Sequence, residues 1–402
     1  MLNKKYFFSN FFPNSQIYKK NLSKTKKIFR SLKVDINNFE IPTLFCHEKD
    51  YAHDFSNELI KKFSKYQNIV VVGMGGSILG TKSIYSFFKT KVKKKIFFLD
   101  NLDENLHNQF LKIKNSKNTC FIIISKSGNT IETIANFGIL YSRFKLKNKL
   151  IFITENEDNF LSNLASKLDA EIIQHPNFIG GRYSVLSEVG MFPAALMGLN
   201  FNKFKNLKKL INNNNFISTL IHNVASIYTL NFKGFKNSVI LNYDSKLNDL
   251  GFWYQQLVGE SLGKKGKGIT PILSRGPKDH HSLLQLYLDG TKDKFFTFFS
   301  PLQKDNKQKI SNKLSLGKMK FLKNKSLNFI VKAQYKAIKK VFISKQIPFR
   351  EIIFNKNNEE ELGAVFTFFV LETILLSRLM NVNPFDQPAV EQVKIETKNF
   401  LI

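Results

Sequence analysis

The stretch NIVVVGMGGSILG, residues 68–80, decides the fold of this chain. It begins with a short apolar, β-branched run and passes through a cluster of glycines into residues that can start a helix. A run that is apolar at every position is typical of a strand in a parallel sheet whose two faces are both covered. The stretch therefore predicts a strand, a glycine turn and a helix start, which together form the building unit of an α/β protein.

The same alternation of strand-like and helix-like segments recurs along most of the 402 residues. A chain of this length is too long for one ordinary core, so we expect two domains. Further strands are predicted at residues 95–100, 120–124, 150–154, 237–242, 294–299 and 349–354, and a long apolar helix at residues 359–381. The predicted organisation is a helical N-terminal segment at 1–60, a first α/β domain at 61–200, a second at 201–382 and a helical tail at 383–402.

The net charge of +30 raises the question of nucleic-acid binding. The cationic residues are mostly Lys, because only six of the 61 are Arg. Base readout and guanidinium stacking favour Arg, and the abundance of Lys, Asn, Ile and Phe matches a bias toward A- and T-rich codons. We therefore predict no nucleic-acid partner, although a positive field would steer a small anionic substrate toward a cleft.

Cysteine content and apolar runs indicate the compartment. The two cysteines, Cys46 and Cys120, form neither a disulfide framework nor a metal cluster, which fits a reducing cytoplasm. The N-terminus lacks the uninterrupted apolar run of a signal peptide. The apolar stretch at residues 363–380 contains Glu372 and Arg378, so a buried helix is the better interpretation. We predict a soluble cytoplasmic protein without a membrane partner.

The first glycine turn partly matches a dinucleotide-binding fingerprint. Gly73 and Gly75 occupy the first two positions of G-x-G-x-x-G, and Asp100 ends the next predicted strand as a ribose-binding acid would. The third position is Ile78, which would obstruct the close packing of helix and strand that glycine allows. A nicotinamide or flavin enzyme is therefore a minor alternative.

A second polar turn, SKSGNT at residues 125–130, follows the predicted strand at 120–124. Three hydroxyls, one Lys and the free N–H groups of a helix start would make a good seat for a phosphate monoester. The turn is not a Walker loop, because the sequence lacks G-x-x-x-x-G-K-[ST]. The alternative is an ordinary helix N-cap with a capping box completed by Glu132, and the local chemistry leaves both interpretations open.

Four further motifs follow in order: GGRYSVLS at 180–187, QLVGESLGK at 256–264, HSLLQ at 281–285 and DQPAVEQVK at 386–394. Together with the two turns they resemble the glucose-6-phosphate isomerase family in order and spacing, over residues 65–395. The resemblance implies two sugar-isomerase (SIS) domains, each a parallel sheet flanked by helices. It also implies a homodimer with shared active sites that interconverts glucose 6-phosphate and fructose 6-phosphate without a metal or a redox cofactor.

The resemblance also implies roles for four catalytic residues. Glu260 would be the base that moves a proton between C2 and C1, and Arg182 would stabilise the charge of the enediolate intermediate. His281 would assist ring opening in the site of the neighbouring subunit, whereas His280 beside it would have no catalytic role. Lys394, in the tail, would assist ring opening and contact the substrate. Without their motifs, Glu260 and Lys394 would be taken for ordinary surface residues.

The remaining substrate contacts fall in two groups. The sugar would lie against the first glycine turn and two glutamines, and the phosphate would lie in the second turn. The residues are Gly76, Ser77, Gln256 and Gln387 for the sugar, and Ser125, Lys126, Ser127 and Thr130 for the phosphate. Two alternatives remain at this point: an isomerase that also accepts mannose 6-phosphate, and a non-catalytic SIS-type sensor of sugar phosphates.

Overall fold

Two parallel β-sheets flanked by helices form the framework of the protein, as the predicted α/β class requires. The structure is a computed structural model that describes residues 8–12, 15–111, 116–301, 308–311, 313 and 317–402. The first sheet has the strand order β2-β1-β3-β4-β5 with every pair parallel. Its strands are β1 (Asn68–Val72), β2 (Lys95–Leu99), β3 (Thr119–Ile124), β4 (Leu150–Thr154) and β5 (Glu171–Gln174).

The second sheet has four strands in the order β7-β6-β8-β9, again all parallel. They are β6 (Asn237–Asn242), β7 (Thr270–Arg275), β8 (Lys294–Phe299) and β9 (Phe349–Ile352). The sequence patterns did not predict β5 and β7. Both are edge strands with exposed or half-buried positions, so neither carries the continuous apolar run that identifies a central parallel strand.

Helices cover the sheets and form the two ends of the described chain. Serine side chains cap several of them: Ser15, Ser56 and Ser326 each accept a hydrogen bond from the backbone three residues later. The helices are α1 (Gln16–Asn37), α2 (Asn57–Ser64), α3 (Gly76–Phe88), α4 (Glu104–Leu111), α5 (Ile131–Arg143), α6 (Phe160–Lys167), α7 (Glu188–Leu196), α8 (Leu207–Ile211), α9 (Asn214–Phe232), α10 (Asn248–Leu262), α11 (Leu284–Asp289), α12 (Leu327–Ser344), α13 (Glu359–Met380) and α14 (Glu391–Leu401).

Strand β1 shows why the opening stretch is apolar throughout. Ile69 and Val71 face a large core that contains Ile78 and Ile84 of α3. Val70 and Val72, on the other face, belong to a second core that contains Phe137 of α5 and Leu161 of α6. Because successive strand residues point to opposite faces, and both faces are covered, every position from 69 to 72 is buried.

Helix α13 is buried on nearly all sides and joins the two halves of the protein. Among the described residues it is the one helix long and apolar enough to span a membrane, and 89% of its apolar window lies inside the protein. Such burial is typical of a central core helix. The large core that includes α13 also contains residues of both sheets, so it crosses the proposed boundary at residues 200 and 201. The domain boundaries themselves stay predictions.

Contact between α3 and α10 brings the first glycine turn beside the second half of the chain. Helix α3 follows β1, and α10 follows β6, so both begin at the carboxyl ends of central parallel strands. Ligands of open α/β sheets bind outside the carboxyl ends of the strands. Helices α3 and α10 run in opposite directions, because the start of α3 lies beside Gln256 near the end of α10, whereas Ser86, near the end of α3, bonds to Asp249 at the start of α10. The carboxyl end of β1 therefore meets the last turns of α10.

We expect His47 to make the fold sensitive to acid. The ring is fully buried; Nδ1 lies 2.9 Å from Oγ1 of Thr367 in α13, and Nε2 has no partner among the described residues. Burial lowers the pKa of His47 from 6.5 to about 3. Between these values the unfolded chain binds the extra proton, so the free energy of unfolding should fall by up to about 1.4 kcal/mol per pH unit as the pH drops.

Urea unfolding of the wild type and His47→Gln between about pH 4 and pH 7 measures this effect. The free energy of unfolding of the variant should depend less steeply on pH, with a slope smaller by roughly one proton. This difference should hold whatever the stability of the variant at neutral pH. Equal slopes for the two proteins would contradict the assignment.

Candidate active site

An ion pair between the buried Arg182 and the partly exposed Glu260 lies where the two halves of the chain meet. Arg182 belongs to a 3-10 turn at Gly181–Leu186, and its side chain is only 2% exposed. Its Nη1 donates to Oε2 of Glu260 over 3.0 Å, and its Nε donates to Oγ of Ser261 over 2.9 Å. The guanidinium is thus fixed against the last turn of α10.

Both carboxylate oxygens of Glu260 accept hydrogen bonds, and the side chain is still accessible to solvent. Gln256, one helical turn earlier on α10, donates from Nε2 to Oε1 of Glu260 over 2.9 Å. The side chain of Glu260 is 33% exposed, in contrast to its almost fully buried partner Arg182. A carboxylate with a fixed orientation and an open side is suited to take and return a proton.

The first glycine turn closes one side of this group. A side chain at Gly76, the first residue of α3, would place Cβ 2.2 Å from the carbonyl carbon and oxygen of Gly181. Gly75 has a φ of +52°, and a Cβ there would lie 2.8 Å from Nε2 of Gln256. The turn needs glycine because two backbone segments and a glutamine meet at this point. Ser77 follows on α3 and is half-buried.

The segment at residues 383–387 closes another side through its backbone carbonyls. Nη2 of Arg182 donates to the carbonyl oxygens of Pro384 and Asp386, and Nη1 also donates to the side chain of Gln387. The hydroxyl of Tyr183 donates to the same Pro384 carbonyl over 3.0 Å. The structure therefore brings Arg182, Glu260, Gln256 and Gln387 into one group, although more than 200 residues separate the first from the last.

The second turn connects the carboxyl end of β3 to the start of α5. Oγ of Ser125 and Oγ1 of Thr130 lie 2.8 Å apart. Thr130 occupies the N-cap position of α5, but its side chain makes no capping hydrogen bond. The capping-box interpretation with Glu132 is therefore wrong. The first N–H groups of a helix have no partner within the helix, so the start of α5 and the two hydroxyls together form a site that favours an anion.

The Lys126 side chain makes its contacts outside the turn. Its Nζ donates to the carbonyl oxygen of Asn177 over 2.7 Å and lies 3.4 Å from Oε1 of Glu155. Ser127 is exposed, and its Oγ lies 3.4 Å from the backbone nitrogen of Asn129. Lys126 would reach an anion in the turn through its backbone N–H in this arrangement, whereas Ser127 can use its hydroxyl.

His281 and Lys394 lie apart from these groups. In the described part of the chain, no hydrogen bond or ion pair joins either residue to Arg182 or Glu260. His281 is exposed at the end of a 3-10 turn after β7, at Lys278–His281. Lys394 is 62% exposed on α14 and lies 2.6 Å from the carboxylate of Glu391. Within one chain, the contacts described therefore do not join either residue to the Arg182–Glu260 pair.

His280 differs from His281 in having an internal partner. Its Nε2 lies 2.6 Å from the hydroxyl of Tyr243, and burial lowers the pKa of His280. The contact gives His280 a partner inside its own chain, and its lack of a catalytic role stays a prediction. Among the described residues, no group of three or more His, Cys, Asp or Glu side chains is arranged to hold a metal ion.

Sequence reasoning missed two side chains that build the site. The hydroxyl of Tyr183 lies 2.8 Å from Oγ of Ser261, and burial raises the pKa of this tyrosine. Ser261 also accepts a hydrogen bond from Arg182. Each residue directly follows a predicted catalytic residue within its motif, which is the one signal that the sequence offers. The contact of Tyr183 with Pro384, and the contact between Tyr183 and Ser261, depend on the tertiary fold.

The model of the phosphoglucose isomerase family matches residues 52–400. The chain belongs to this family. It is 34% identical to a glucose-6-phosphate isomerase of Methanocaldococcus jannaschii over 86% of this chain and 87% of that protein. It is 31% identical to a glucose-6-phosphate isomerase of Campylobacter jejuni over 87% of this chain and 88% of that protein.

Two solved structures are similar to the fold of this phosphoglucose isomerase family member. A hypothetical protein of Thermus thermophilus superposes with a TM-score of 0.83 at 22% identity, over the full length of both chains. A glucose-6-phosphate isomerase of Chlamydia trachomatis gives a TM-score of 0.70 at 19% identity, over 86% of this chain and 71% of that one. At these identities the likeness concerns the fold.

A pair of Gly→Ala substitutions tests the close contact at the first turn. Gly76→Ala should destabilise the protein by roughly 1–3 kcal/mol, because the new methyl group would overlap the backbone at Gly181. Gly138→Ala is the matched control, because that glycine lies in α5 with nothing within 4 Å of its Cβ position. It should stabilise the protein by roughly 0.5–1 kcal/mol. Denaturant unfolding measures both, and a neutral Gly76→Ala would contradict the packing described.

Proposed function

We propose that the protein is a glucose-6-phosphate isomerase, which reversibly converts glucose 6-phosphate to fructose 6-phosphate. The observation that carries the proposal is the pair of Arg182 and Glu260, a buried cation and an accessible carboxylate 3.0 Å apart. The pair lies between the first glycine turn and the segment at 383–387. Membership of the phosphoglucose isomerase family, and the names of relatives over 30% identical, support the same reaction.

Glu260 is the base of the proposed reaction. In the open-chain aldose, its carboxylate removes the proton from C2 while the O1 carbonyl gains an electron pair, which gives a cis-enediol or enediolate. The same carboxyl then returns the proton to C1 while the hydroxyl proton of O2 passes to O1, so that O1 becomes a hydroxyl and the C2 oxygen becomes the carbonyl of the ketose. Hydrogen bonds from Gln256 and Arg182 orient the two oxygens of the base. No oxidant is needed, since the oxidation of C2 is balanced by the reduction of C1 within the same sugar.

Arg182 stabilises the intermediate. Negative charge develops on the enediolate oxygens, and a fixed cation lowers the energy of that state more than that of the neutral sugar. The guanidinium is already desolvated and held by Ser261 and by carbonyl groups, so its position is fixed before the charge appears. We propose that Gln387, which is bonded to Arg182, and Gln256, which is bonded to Glu260, contact the sugar hydroxyls.

The second turn holds the 6-phosphate. The proposed contacts are the hydroxyls of Ser125, Ser127 and Thr130 and the backbone N–H of Lys126, all in the turn that leads into the N-terminus of α5. A phosphate there gains both hydrogen bonds and the favourable end of the helix dipole. Gly76 and Ser77, in the first turn, would lie beside the sugar. The anchor would fix the far end of the hexose so that C1 and C2 lie against Glu260.

Ring opening uses residues that require a second subunit. We propose a homodimer in which His281 of one subunit completes the site of the other, and in which Lys394 assists from the tail. Every residue of α14 is exposed, and its apolar side chains include Val393, Phe400 and Leu401. A helix with no buried side chain of its own is expected to pack on another copy. The proposed enzyme works in the cytoplasm with no cofactor and no nucleic-acid or membrane partner.

Glu260→Gln tests the assignment of the base. The amide oxygen can still accept a hydrogen bond from Arg182, so the protein should fold, but the amide cannot take a proton. In a coupled assay with fructose 6-phosphate, kcat should fall by roughly 10²- to 10⁴-fold with little change in KM. In D₂O the wild type should also place deuterium at C2 of the glucose 6-phosphate product. Undiminished turnover by Glu260→Gln would sink the mechanism, and binding without turnover by the wild type would indicate a sensor.

Hybrid dimers test whether the two subunits share each site. Glu260→Gln and His281→Ala homodimers should both be nearly inactive. If His281 acts across the interface, a hybrid of the two variants has one intact site, and random mixing after co-refolding should restore about a quarter of wild-type activity. If His281 acted within its own chain, every site of the hybrid would carry one substitution, and mixing would restore nothing. Mixing each variant with itself provides the control.

A further inference from the structure

The tail has little support from its own subunit. Every residue from 385 to 402 is exposed, including all of α14. Within one chain, the position of α14 relative to Glu260 therefore depends on the segment at residues 383–387, where the tail leaves the core. This segment includes Gln387, and Lys394 lies two helical turns further along.

Two cations hold this segment through its backbone carbonyls. Arg182 donates to the carbonyl oxygens of Pro384 and Asp386. Lys264, on the loop after α10, donates to the carbonyl oxygens of Asn383 and Asp386, and its Nζ lies 2.7 Å from Oδ1 of Asp386. The Asp386 carbonyl thus accepts from both cations. Lys267, on the same loop, donates to the carbonyl oxygen of Met380 at the end of α13 over 2.8 Å.

We propose that Lys264 is a positioning residue of the isomerase: it fixes residues 383–387 so that Gln387 stays on Arg182 and the tail starts beside Glu260. This role rests on the proposed function. An ammonium group has three N–H donors, and Lys264 meets three acceptors: the Asn383 carbonyl, the Asp386 carbonyl and the Asp386 carboxylate. No donor is left for a substrate, which separates positioning from a direct catalytic role.

A second consequence of the contact concerns the charge near Arg182. The Asp386 carboxylate is close enough to Arg182 to interact with its charge, and an unpaired negative charge there would compete with an enediolate. Lys264 pairs with this carboxylate, as does the amide of Asn383 over 3.0 Å, and the hydrogen bond from Lys264 lowers the pKa of Asp386. Most exposed ion pairs contribute little, but the side chain of Lys264 is only 11% exposed and two of its acceptors are carbonyls.

The test compares Lys264→Met with Lys265→Met. Lys265 is the next residue of the same loop, is exposed and has a φ of +52°, which the substitution leaves equally strained. Lys264→Met should lower kcat by roughly tenfold to a hundredfold, with KM for fructose 6-phosphate within about twofold because the phosphate turn is untouched. Lys265→Met should behave as wild type, and Lys264→Arg should recover part of the loss.

Hydrogen exchange on the intact protein tests the physical basis separately from activity. Lys264→Met should speed exchange of the amides at 383–401 by roughly tenfold or more, and leave β3, residues 119–124, unchanged. Unchanged exchange at β3 also shows that the variant has folded. Lys264→Gln, a milder change that keeps two donors, should give an intermediate result in both measurements.

The outcomes separate the positioning role of Lys264 from the proposed isomerase activity. A wild-type kcat in Lys264→Met would overturn the positioning role, even with faster exchange. A low kcat without faster exchange at 383–401 would also overturn it, because Lys264 would then act in some other way. If the wild-type protein does not isomerise fructose 6-phosphate, the proposed function fails, and the exchange measurement alone decides whether Lys264 holds the tail.

Discussion

The buried guanidinium of Arg182 is the interaction on which the rest of the site depends. All five of its N–H donors have acceptors: Nε meets Ser261, Nη1 meets Glu260 and Gln387, and Nη2 meets the carbonyls of Pro384 and Asp386. A buried charge without partners is very costly, so the loss of any one acceptor would leave an unpaired N–H on a buried cation. One side chain from the first half thereby fixes the end of α10 and the start of the tail.

This arrangement explains why the two halves share one core. If the two sheets moved relative to each other, the turn at Gly181–Leu186 would separate from α10, and Arg182 would lose its partners. Helix α13, the contact between α3 and α10, and the close approach of Gly76 to Gly181 oppose such motion. Close-packed interiors transmit strain and resist small shifts. The large shared core is thus a condition for a buried charge between the halves.

The sequence predicted the framework better than the details of the site. Every strand except β5 and β7 was predicted from a mainly apolar run, including the edge strands β2 and β9, whereas β5 and β7 are edge strands with exposed or half-buried positions and no such run. The candidate catalytic residues came from motifs. The orientation of Lys126 toward Asn177, and the pairing of Thr130 with Ser125, could not be predicted, because local sequence fits a capping box equally well. Which acceptor a polar side chain chooses depends on segments that only the fold brings near.

The saturation of Arg182 changes what substrate binding means at this site. A sugar oxygen can reach the guanidinium only by replacing an acceptor, and the amide oxygen of Gln387 is the one neutral side-chain carbonyl in the set. A neutral hydroxyl gains little from such an exchange, because one uncharged acceptor replaces another. An anionic enediolate gains much more, since charge-assisted hydrogen bonds are about twice as strong. Replacement of Gln387 on Arg182 would then be favourable for the charged intermediate and nearly neutral for the uncharged sugar. The resting protein would thereby already favour the transition state over the substrate.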